Sequence, residues 1–209
     1  RYWPHKYLID IDGFIVYDHI GEGAYEETER RIQEALEERG KVLGSRETVE
    51  KEIASPEAPQ IDFSRVQSPE IYFGAQRNEY LANGRKNIQG IQNFSYPGMA
   101  ELNKLYLDGS WDILPEYSTN LSEMAKIVFK YDATKVFMVA SSDKSTKMRI
   151  LVDGKPITTD MAGADVVGGY VTVNESRLYR LVEGLTRGKY MLELIIESPG
   201  LMAYTFTFG

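Results

Sequence analysis

The 209-residue sequence contains no cysteine and only two histidines, His5 and His19. Without cysteine, the chain itself forms no disulfide, offers no thiolate to a metal and has no thiol nucleophile. A zinc site on the two histidines would need several carboxylates converging on them, and no ligand spacing of that kind occurs. We therefore predict no metal site and no cofactor.

Positive charge and long apolar runs are also scarce. The chain has 24 Lys and Arg against 31 Asp and Glu, a net charge of −7 and a pI near 5.0. Nucleic-acid binding relies on clustered Lys and Arg, so this balance disfavours a nucleic-acid partner. No run of about 18 apolar residues occurs, and no membrane-spanning helix is predicted. Because the chain begins at Arg1 rather than at a methionine, we expect a piece of a longer protein.

Familiar catalytic patterns are missing as well. The pairs Glu26–Glu27 and Glu37–Glu38 are adjacent in sequence and do not face each other, so a two-carboxylate glycosidase is not indicated. No G-x-S-x-G motif, P-loop or dinucleotide-binding glycine pattern occurs.

The amino-terminal part predicts a hairpin followed by a helix. Residues 7–10 and 14–20 flank Ile11, Asp12 and Gly13, which are typical of a hairpin turn. From Ala24 onward, apolar residues recur three and four apart, which predicts an amphipathic helix that stops at Gly40. One hairpin and one helix bury too little apolar surface to fold alone, so this part should pack on something else.

Residues 41–66 are interpreted as a linker. Pro56 and Pro59 favour an extended chain in the second half, and one short helix is possible in the charged first half.

Residues 126–156 read as three strands of one antiparallel sheet. Ile127, Phe129 and Tyr131 alternate with more polar residues, as in a half-buried strand. Residues 136–140 are apolar throughout and should be covered on both faces. Asp153 and Gly154, after the third strand, predict a type I′ turn.

Further short strands are predicted on both sides of this region, with Gly, Pro, Asn and Asp turns between them. Asp108 and Gly109 are interpreted as one such turn, and Tyr204 is expected to share a buried face with Phe206 and Phe208. The pattern favours a β-sandwich of the jelly-roll type. The strands are predicted at residues 71–73, 92–96, 102–107, 111–113, 169–173, 177–181, 190–196 and 203–208.

One carbohydrate site is a candidate in this second part: Trp111 and Tyr117, with Asp112 and Asn120 beside them. Aromatic faces stack on the C–H patches of a pyranose, and the polar side chains then bond its hydroxyls. The alternative is that Trp111 is a core anchor, because Trp and Tyr also fill sandwich cores. The acidic residues 160–165 could hold a structural Ca²⁺, with solvated turns as the alternative.

At this point the sequence resembles a known family. The opening RYWPHKYLIDIDGFIVYDHIGEGAYEETERRIQEAL resembles the second half of a thioredoxin-like domain of the redoxin type. SPEIYFG, GSWDI, ILVDGKP, ESRLYRLV and AYTFTFG resemble the carboxy-terminal region of DipZ-type thiol–disulfide oxidoreductases. This resemblance implies three parts: residues 1–40 as half of a thioredoxin-like domain, residues 41–66 as a linker, and residues 67–209 as a jelly roll like a carbohydrate-binding module.

The resemblance also implies where redox chemistry would lie. The family's Cys-x-x-Cys pair would precede Arg1, so this chain alone would be inactive. On spacing alone, a trans Trp3–Pro4 bond is favoured, since only about 5–6% of such bonds are cis. The family instead implies a cis Pro4, with Trp3 and Pro4 lining the substrate groove next to a low-pKa thiolate. His5 and His19 are interpreted mainly as strand and surface residues.

Two main hypotheses follow. The first is a fragment of an extracytoplasmic oxidoreductase that acts on protein disulfides, takes electrons from a membrane donor and carries a glycan- or protein-binding jelly roll. The second is a non-catalytic carbohydrate-binding or assembly module. A third possibility is self-association through the open edge of the truncated thioredoxin sheet.

Overall fold

A computed structural model describes residues 5–20, 24–44, 49, 68–186 and 188–209. The chain divides into two compact units, residues 1–60 and residues 61–209. Trp3 and Pro4, and with them the groove expected there, lie outside the described residues. So does most of the predicted linker at 41–66, and the three-part division of the chain therefore stays a prediction.

The first unit is a β-hairpin followed by a helix, as predicted. Strand β1 (His5–Ile9) pairs antiparallel with β2 (Ile15–Ile20), and helix α1 spans Tyr25–Leu43. The Asp10 carboxylate closes the turn by accepting the N–H groups of Asp12 and Phe14, at 3.0 and 2.8 Å. Asp10 thus replaces the strand hydrogen bonds that stop at the end of β1.

The predicted helix stop at Gly40 is wrong. Helix α1 continues to Leu43, and Gly44 ends it in the left-handed conformation, with φ of 65°. The Gly44 N–H donates to the carbonyls of Gly40 and Lys41, which is how a glycine closes a helix. A glycine inside a helix costs only about 1 kcal/mol relative to alanine, so Gly40 is tolerated.

The described residues of the second unit form strands and loops and no helix. Its twelve strands are β3 (Ile71–Tyr72), β4 (Gly90–Phe94), β5 (Leu105–Ile113), β6 (Ser118–Asn120), β7 (Ala125–Asp132), β8 (Val136–Ser142), β9 (Thr146–Val152), β10 (Lys155–Pro156), β11 (Tyr170–Val173), β12 (Arg177–Val182), β13 (Lys189–Ile196) and β14 (Leu201–Phe208). The main path runs β10-β9-β13-β7-β5-β6-β14-β8-β12, while β11 pairs with β9, β3 with β14 and β4 with β5. The mainly β fold class is confirmed.

Strand β5 joins the two halves of this path. Its residues Leu105 to Asp108 pair with β7, whereas Gly109 to Ile113 pair with β4. The predicted turn at Asp108 and Gly109 is therefore wrong. Gly109 has a φ of 91°, and a Cβ there would lie 2.4 Å from Ser122 Oγ, so the strand passes from one set of partners to the other at this glycine without ending.

The sheet curls so that strands far apart along the path pack face to face. The ring of Phe129 in β7 lies 5.5 Å from that of Phe208 and 6.0 Å from that of Phe206, both in β14. Ile127, Phe129 and Tyr131 are buried as predicted, but the strand is not half-buried, because Val128 and Asp132 on its other face are buried as well. This aromatic layer is the centre of the core.

The three strands predicted within residues 126–156 all form, as β7, β8 and β9. No two of them are hydrogen-bonded to each other: β13 lies between β7 and β9, and β8 lies between β14 and β12. Asp153 and Gly154, with φ of 50° and 75°, make the turn from β9 to β10 that the sequence indicated.

Candidate functional site

A β-bulge in strand β14 turns Tyr204 away from the core. Ala203 pairs with Ala140 and Thr205 with Val139, so Tyr204 is an extra residue between two registers. Leu201 and Ala203 are buried before the bulge, and Phe206 and Phe208 after it, while Tyr204 is only half-buried. The predicted burial of Tyr204 beside Phe206 and Phe208 is wrong, because the inserted residue changes which positions face inward.

Tyr117 lies beside Tyr204, and the two rings form what we call the tyrosine platform. Their ring centroids are 4.9 Å apart and their planes are inclined by 36°. Both side chains are half-buried, so part of each remains accessible. Tyr117 is placed by a tight turn, in which its carbonyl accepts the Leu114 N–H at 2.9 Å.

The turn that carries Tyr117 is held against a neighbouring loop at Gly74. The N–H groups of Ala75 and Gln76 donate to the carbonyls of Leu114 and Pro115, at 2.8 and 3.0 Å. A Cβ on Gly74 would lie 2.2 Å from the Glu116 carbonyl carbon. Only glycine permits so close an approach, so Gly74 sets the position of Glu116 and Tyr117.

A third tyrosine lies beside the platform along β14. Tyr72 pairs with Thr205, the residue after Tyr204. The Arg77 guanidinium stacks on the Tyr72 ring, 3.4 Å from its centroid, and the Tyr72 hydroxyl donates to the Glu70 carboxylate. This is a cation–π contact with a carboxylate at its rim.

The pKa values of the Tyr204 and Tyr72 hydroxyls are raised above the ordinary value for tyrosine. Burial raises the pKa of Tyr204, and the nearby Tyr117, Glu116 and Asp143 raise it further. Burial likewise raises the pKa of Tyr72, with Glu70 adding to the effect. The Tyr204 hydroxyl therefore stays protonated at neutral pH and can both donate and accept a hydrogen bond, whereas the Tyr72 hydroxyl already donates its hydrogen to Glu70 and can only accept one.

Two of the four predicted sugar-binding residues are wholly buried. The indole Nε1–H of Trp111 donates to the Asp108 carbonyl at 3.0 Å, and Trp111 has no exposed surface. Asn120 is equally buried and is bonded to main-chain groups only. A buried side chain cannot stack on or bond a surface ligand, so Trp111 is the core anchor of the alternative interpretation.

The other two predicted residues share the outward face with the platform. Asp112 pairs with Thr119 and Thr119 with Met202, and all three side chains are half-buried between inward-facing neighbours. Tyr117 and Tyr204 lie two residues from Thr119 and Met202. Asp112 and Tyr117 therefore remain candidates, whereas Tyr204, Tyr72 and Arg77 were missed. One signal was available in the sequence of β14: the apolar residues occupy odd-numbered positions at first, Leu201 and Ala203, and even-numbered positions later, Phe206 and Phe208.

The outward face around the tyrosine platform combines ring surfaces with polar side chains. Within the described parts of the chain, no three His, Asp or Glu side chains converge as metal ligands. The face presents ring surfaces, hydroxyls, carboxylates and one guanidinium, which suit an uncharged or cationic ligand with both apolar and hydroxyl surface. No helix among the described residues is long and apolar enough to cross a bilayer.

The amino-terminal unit carries a second notable surface, which is apolar. Phe14, Ile15 and Ile9 are each 60–69% exposed, and none of the residues of helix α1 is buried. A groove of about 300 Å³ lies between hairpin and helix, lined by Leu8, Ile9, Asp10, Ile11, Ile32, Ala35, Leu36 and Arg39. Contiguous exposed apolar residues of this kind are typical of surfaces that contact another protein or another part of the same protein.

Comparisons with known proteins give the family. Protein DipZ of Mycobacterium bovis and Protein DipZ of Mycobacterium tuberculosis are each 27% identical to this chain over 209 residues, which cover 100% of this chain and 27% of the relative. The chain thus spans 27% of the length of these curated relatives.

Two solved structures are also similar in part. CsCBM6-3 from Clostridium stercorarium in complex with cellobiose is 17% identical, with a TM-score of 0.35 over 68% of this chain and 93% of that chain. A family two carbohydrate esterase from Clostridium thermocellum in complex with cellohexaose is 19% identical, with a TM-score of 0.37 over 45% and 27%. Likenesses this weak carry no argument about function.

A family model described as "Thioredoxin like C-terminal domain" matches residues 68–209, which is more than half of the chain. The predicted resemblance to the carboxy-terminal region of DipZ-type proteins is confirmed, and the chain belongs to the family of thioredoxin-like C-terminal domains.

Proposed function

We propose that this chain is a non-catalytic glycan-binding module of a longer, extracytoplasmic thiol–disulfide oxidoreductase. The observation that carries the proposal is the tyrosine platform, two half-exposed rings 4.9 Å apart on an outward sheet face. Because the centroids are only 4.9 Å apart, the two rings overlap face to face, and the C–H face of a pyranose would stack on the free outer face of one of them. Asp112 and Glu116 supply acceptors for its hydroxyls.

The redox part of the proposal concerns the full-length protein. The chain has no cysteine, and it spans only 27% of the length of relatives named Protein DipZ. A Cys-x-x-Cys pair before Arg1 would exchange disulfides with protein substrates, fed by a membrane electron donor, with Trp3 and Pro4 beside it. The exposed apolar hairpin and helix support this, because half of a thioredoxin-like domain would leave such surface uncovered.

Glycan binding is tested by titration of the whole chain. A glycan array identifies ligands, and calorimetry then compares the parent with Tyr117→Ala and Tyr204→Ala. Removing a ring that a ligand stacks on should weaken binding about tenfold, as expected when a buried aromatic anchor is truncated. Tyr170→Ala is the matched control, since Tyr170 is half-buried in β11, away from the platform. Binding unchanged in both platform variants, or no glycan bound at millimolar concentration, would refute the proposal.

The redox claim is tested on the full-length protein. We expect it to reduce insulin disulfides, and to lose this activity when either upstream cysteine is replaced by serine. The absence of a Cys-x-x-Cys within about 100–150 residues before Arg1, the usual size of one domain, would remove the claim.

Self-association is a second candidate function of the amino-terminal unit. In the described part of the chain, β1 and β2 form a sheet of two strands, so each strand has an open edge next to exposed apolar residues. Light scattering of the whole chain should show dimers or larger species, and Phe14→Asp should reduce them. A clean monomer at high concentration would contradict this role.

A further inference from the structure

Strand β12 ends the main path of the sheet, and among the strands that the structure describes only β8 pairs with it. Alternate residues of a strand direct their N–H and C=O groups to the same edge. The Leu178 carbonyl accepts the Arg177 Nη1–H at 3.0 Å. The Arg180 N–H donates to the Asp165 carboxylate at 2.7 Å, so Leu178 and Arg180 both direct their backbone groups to the unpaired edge. An unpaired edge of this kind is a template on which another strand can add.

The segment of residues 161–165 covers most of this edge, and we call it the edge cap. The Gly163 N–H donates to the Leu181 carbonyl at 3.0 Å, and the Glu183 N–H donates to the Met161 carbonyl at 3.1 Å. These bonds occupy backbone groups of β12 and of the residue that follows it. The edge cap therefore takes the position that a neighbouring strand would have.

A carboxylate and a glycine hold the edge cap on β12. The Asp165 carboxylate accepts the Arg180 N–H with one oxygen and the Arg177 Nη2–H with the other, at 2.7 and 2.8 Å. A Cβ on Gly163 would lie 2.2 Å from the Arg180 carbonyl oxygen, so only glycine permits this approach. Removing the carboxylate or adding the Cβ should therefore detach the edge cap from the strand.

The edge cap leaves Leu178 uncovered. The Leu178 N–H has no hydrogen-bond partner among the described residues, and the Leu178 side chain is exposed. The edge cap itself is little buried, because Ala164 is exposed and Asp165 is half-buried. Segments with few buried contacts open at a lower free energy than core strands do. Opening of the edge cap exposes the backbone groups of Leu178 and Arg180 together.

We propose that the edge cap blocks strand addition at β12, and that a second copy of the chain pairs there when the edge cap opens. An antiparallel pair with its two-fold axis at Tyr179 joins Leu178 of each copy to Arg180 of the other. Both residues direct N–H and C=O groups outward, so each pair exchanges two hydrogen bonds. Each Arg180 then lies opposite a leucine, so like charges do not face each other at the centre. This association uses the second unit and depends neither on the amino-terminal hairpin nor on glycan binding.

The first test is amide hydrogen exchange in the whole chain carrying Phe14→Asp, which suppresses association through the hairpin. We expect the Gly163 and Arg180 amides to exchange about tenfold or more faster than the Tyr179 amide, because the edge cap opens while β12 stays paired with β8. Equal exchange rates for the three amides would mean that the edge cap opens only when the whole unit unfolds, and would overturn the inference.

The second test adds Asp165→Ala or Gly163→Ala to the same chain and measures its mass by sedimentation equilibrium. Both variants detach the edge cap, so the average mass should rise about twofold as the protein concentration increases. Asp160→Ala is the matched control, because it removes the same charge at an exposed position next to the edge cap, and it should stay monomeric. Adding Leu178→Lys to either detached variant should restore the monomer, since a lysine on an edge strand opposes pairing.

The Leu178 amide identifies the surface that pairs. In a dimer joined at β12 its N–H bonds the Arg180 carbonyl of the second copy, so its exchange should slow as the concentration of either detached variant rises. A folded variant that stays monomeric would overturn the inference, and so would a dimer in which exchange of the Leu178 amide is unchanged. If neither variant folds, the exchange rates measured before the edge cap is altered decide the question.

Discussion

Replacing Asn120 with alanine should destabilise the second unit strongly, although its buried side chain cannot reach a surface ligand. Asn120 is fully buried, and its amide Nδ2 donates to the carbonyls of Ser122 and Ser198, both at 3.0 Å. Its Oδ1 accepts the N–H groups of Gly200 and Leu201, at 3.1 and 2.8 Å. One side chain thus ties β6 to the turn that leads into β14.

The magnitude follows from which groups are left without a partner. The Gly200 N–H keeps a hydrogen bond to the Asn120 carbonyl, at 3.0 Å. Ser122 and Ser198 are not buried, so water can reach their carbonyls. The Leu201 N–H lies on a fully buried residue and is orphaned, at a cost of about 1–3 kcal/mol. The other side-chain hydrogen bonds of Asn120 each contribute a smaller net amount, so we expect the free energy of unfolding to fall by about 2–4 kcal/mol in total.

The assay is urea unfolding followed by tryptophan fluorescence. Trp111 is fully buried and is the strand partner of Asn120, so its emission reports on this part of the unit. Over a domain of this size, the loss corresponds to a fall in Tm of about 5–15 °C.

Asn93→Ala is the matched control, because Asn93 is exposed on β4 and should change stability by less than about 0.5 kcal/mol. A cost for Asn120→Ala no larger than that of Asn93→Ala would refute the hydrogen-bond accounting.

Three further predictions concern the second unit. Tyr131→Phe should raise the free energy of unfolding by about 1 kcal/mol in urea denaturation, because the buried Tyr131 hydroxyl has no hydrogen-bond partner among the described residues; a loss of stability would mean that the hydroxyl is satisfied. Gly74→Ala should lower the free energy of unfolding by about 1–3 kcal/mol and weaken ligand binding at the tyrosine platform, because its Cβ would collide with the Glu116 backbone. Gly40→Ala is the control: its Cβ would meet open space, so this variant should not lose stability. Burial raises the pKa of Asp165, but hydrogen bonds and charges from Arg177 and Arg180 outweigh it and the net pKa is lowered. The free energy of unfolding of Asp165→Asn should therefore lie below that of the parent by the full amount above about pH 4, the unfolded-state pKa of Asp. This difference should vanish as the pH falls through the lower pKa of the folded state, and a difference between the two proteins that grows in acid would contradict the prediction.

Local features of this protein were determined by the sequence itself. The turn at Asp153 and Gly154 forms because these residues tolerate the positive φ of a type I′ turn, whatever surrounds them. The hairpin of β1 and β2 and the burial of Ile127, Phe129 and Tyr131 follow equally from turn chemistry and alternation. Each of these depends on residues within a few positions of one another.

Strand partners and the binding face were decided only by the tertiary structure. β7, β8 and β9 are consecutive in the chain, yet no two of them pair, because every strand offers the same backbone hydrogen-bonding groups and the packing of the whole sheet selects which strands pair. The helix continues past Gly40 because the free-energy cost of one glycine inside a helix is smaller than the stabilisation from the helical residues that follow it.

The tyrosine platform shows the difference most clearly. Tyr117 and Tyr204 meet because a bulge in β14 shifts the inward positions by one residue and Gly74 admits the turn that carries Tyr117. Trp111, chosen from composition, is instead packed inside. Composition determined that aromatic residues would be plentiful, but which of them face the solvent depends on register, and register is set by the packing of the whole sheet.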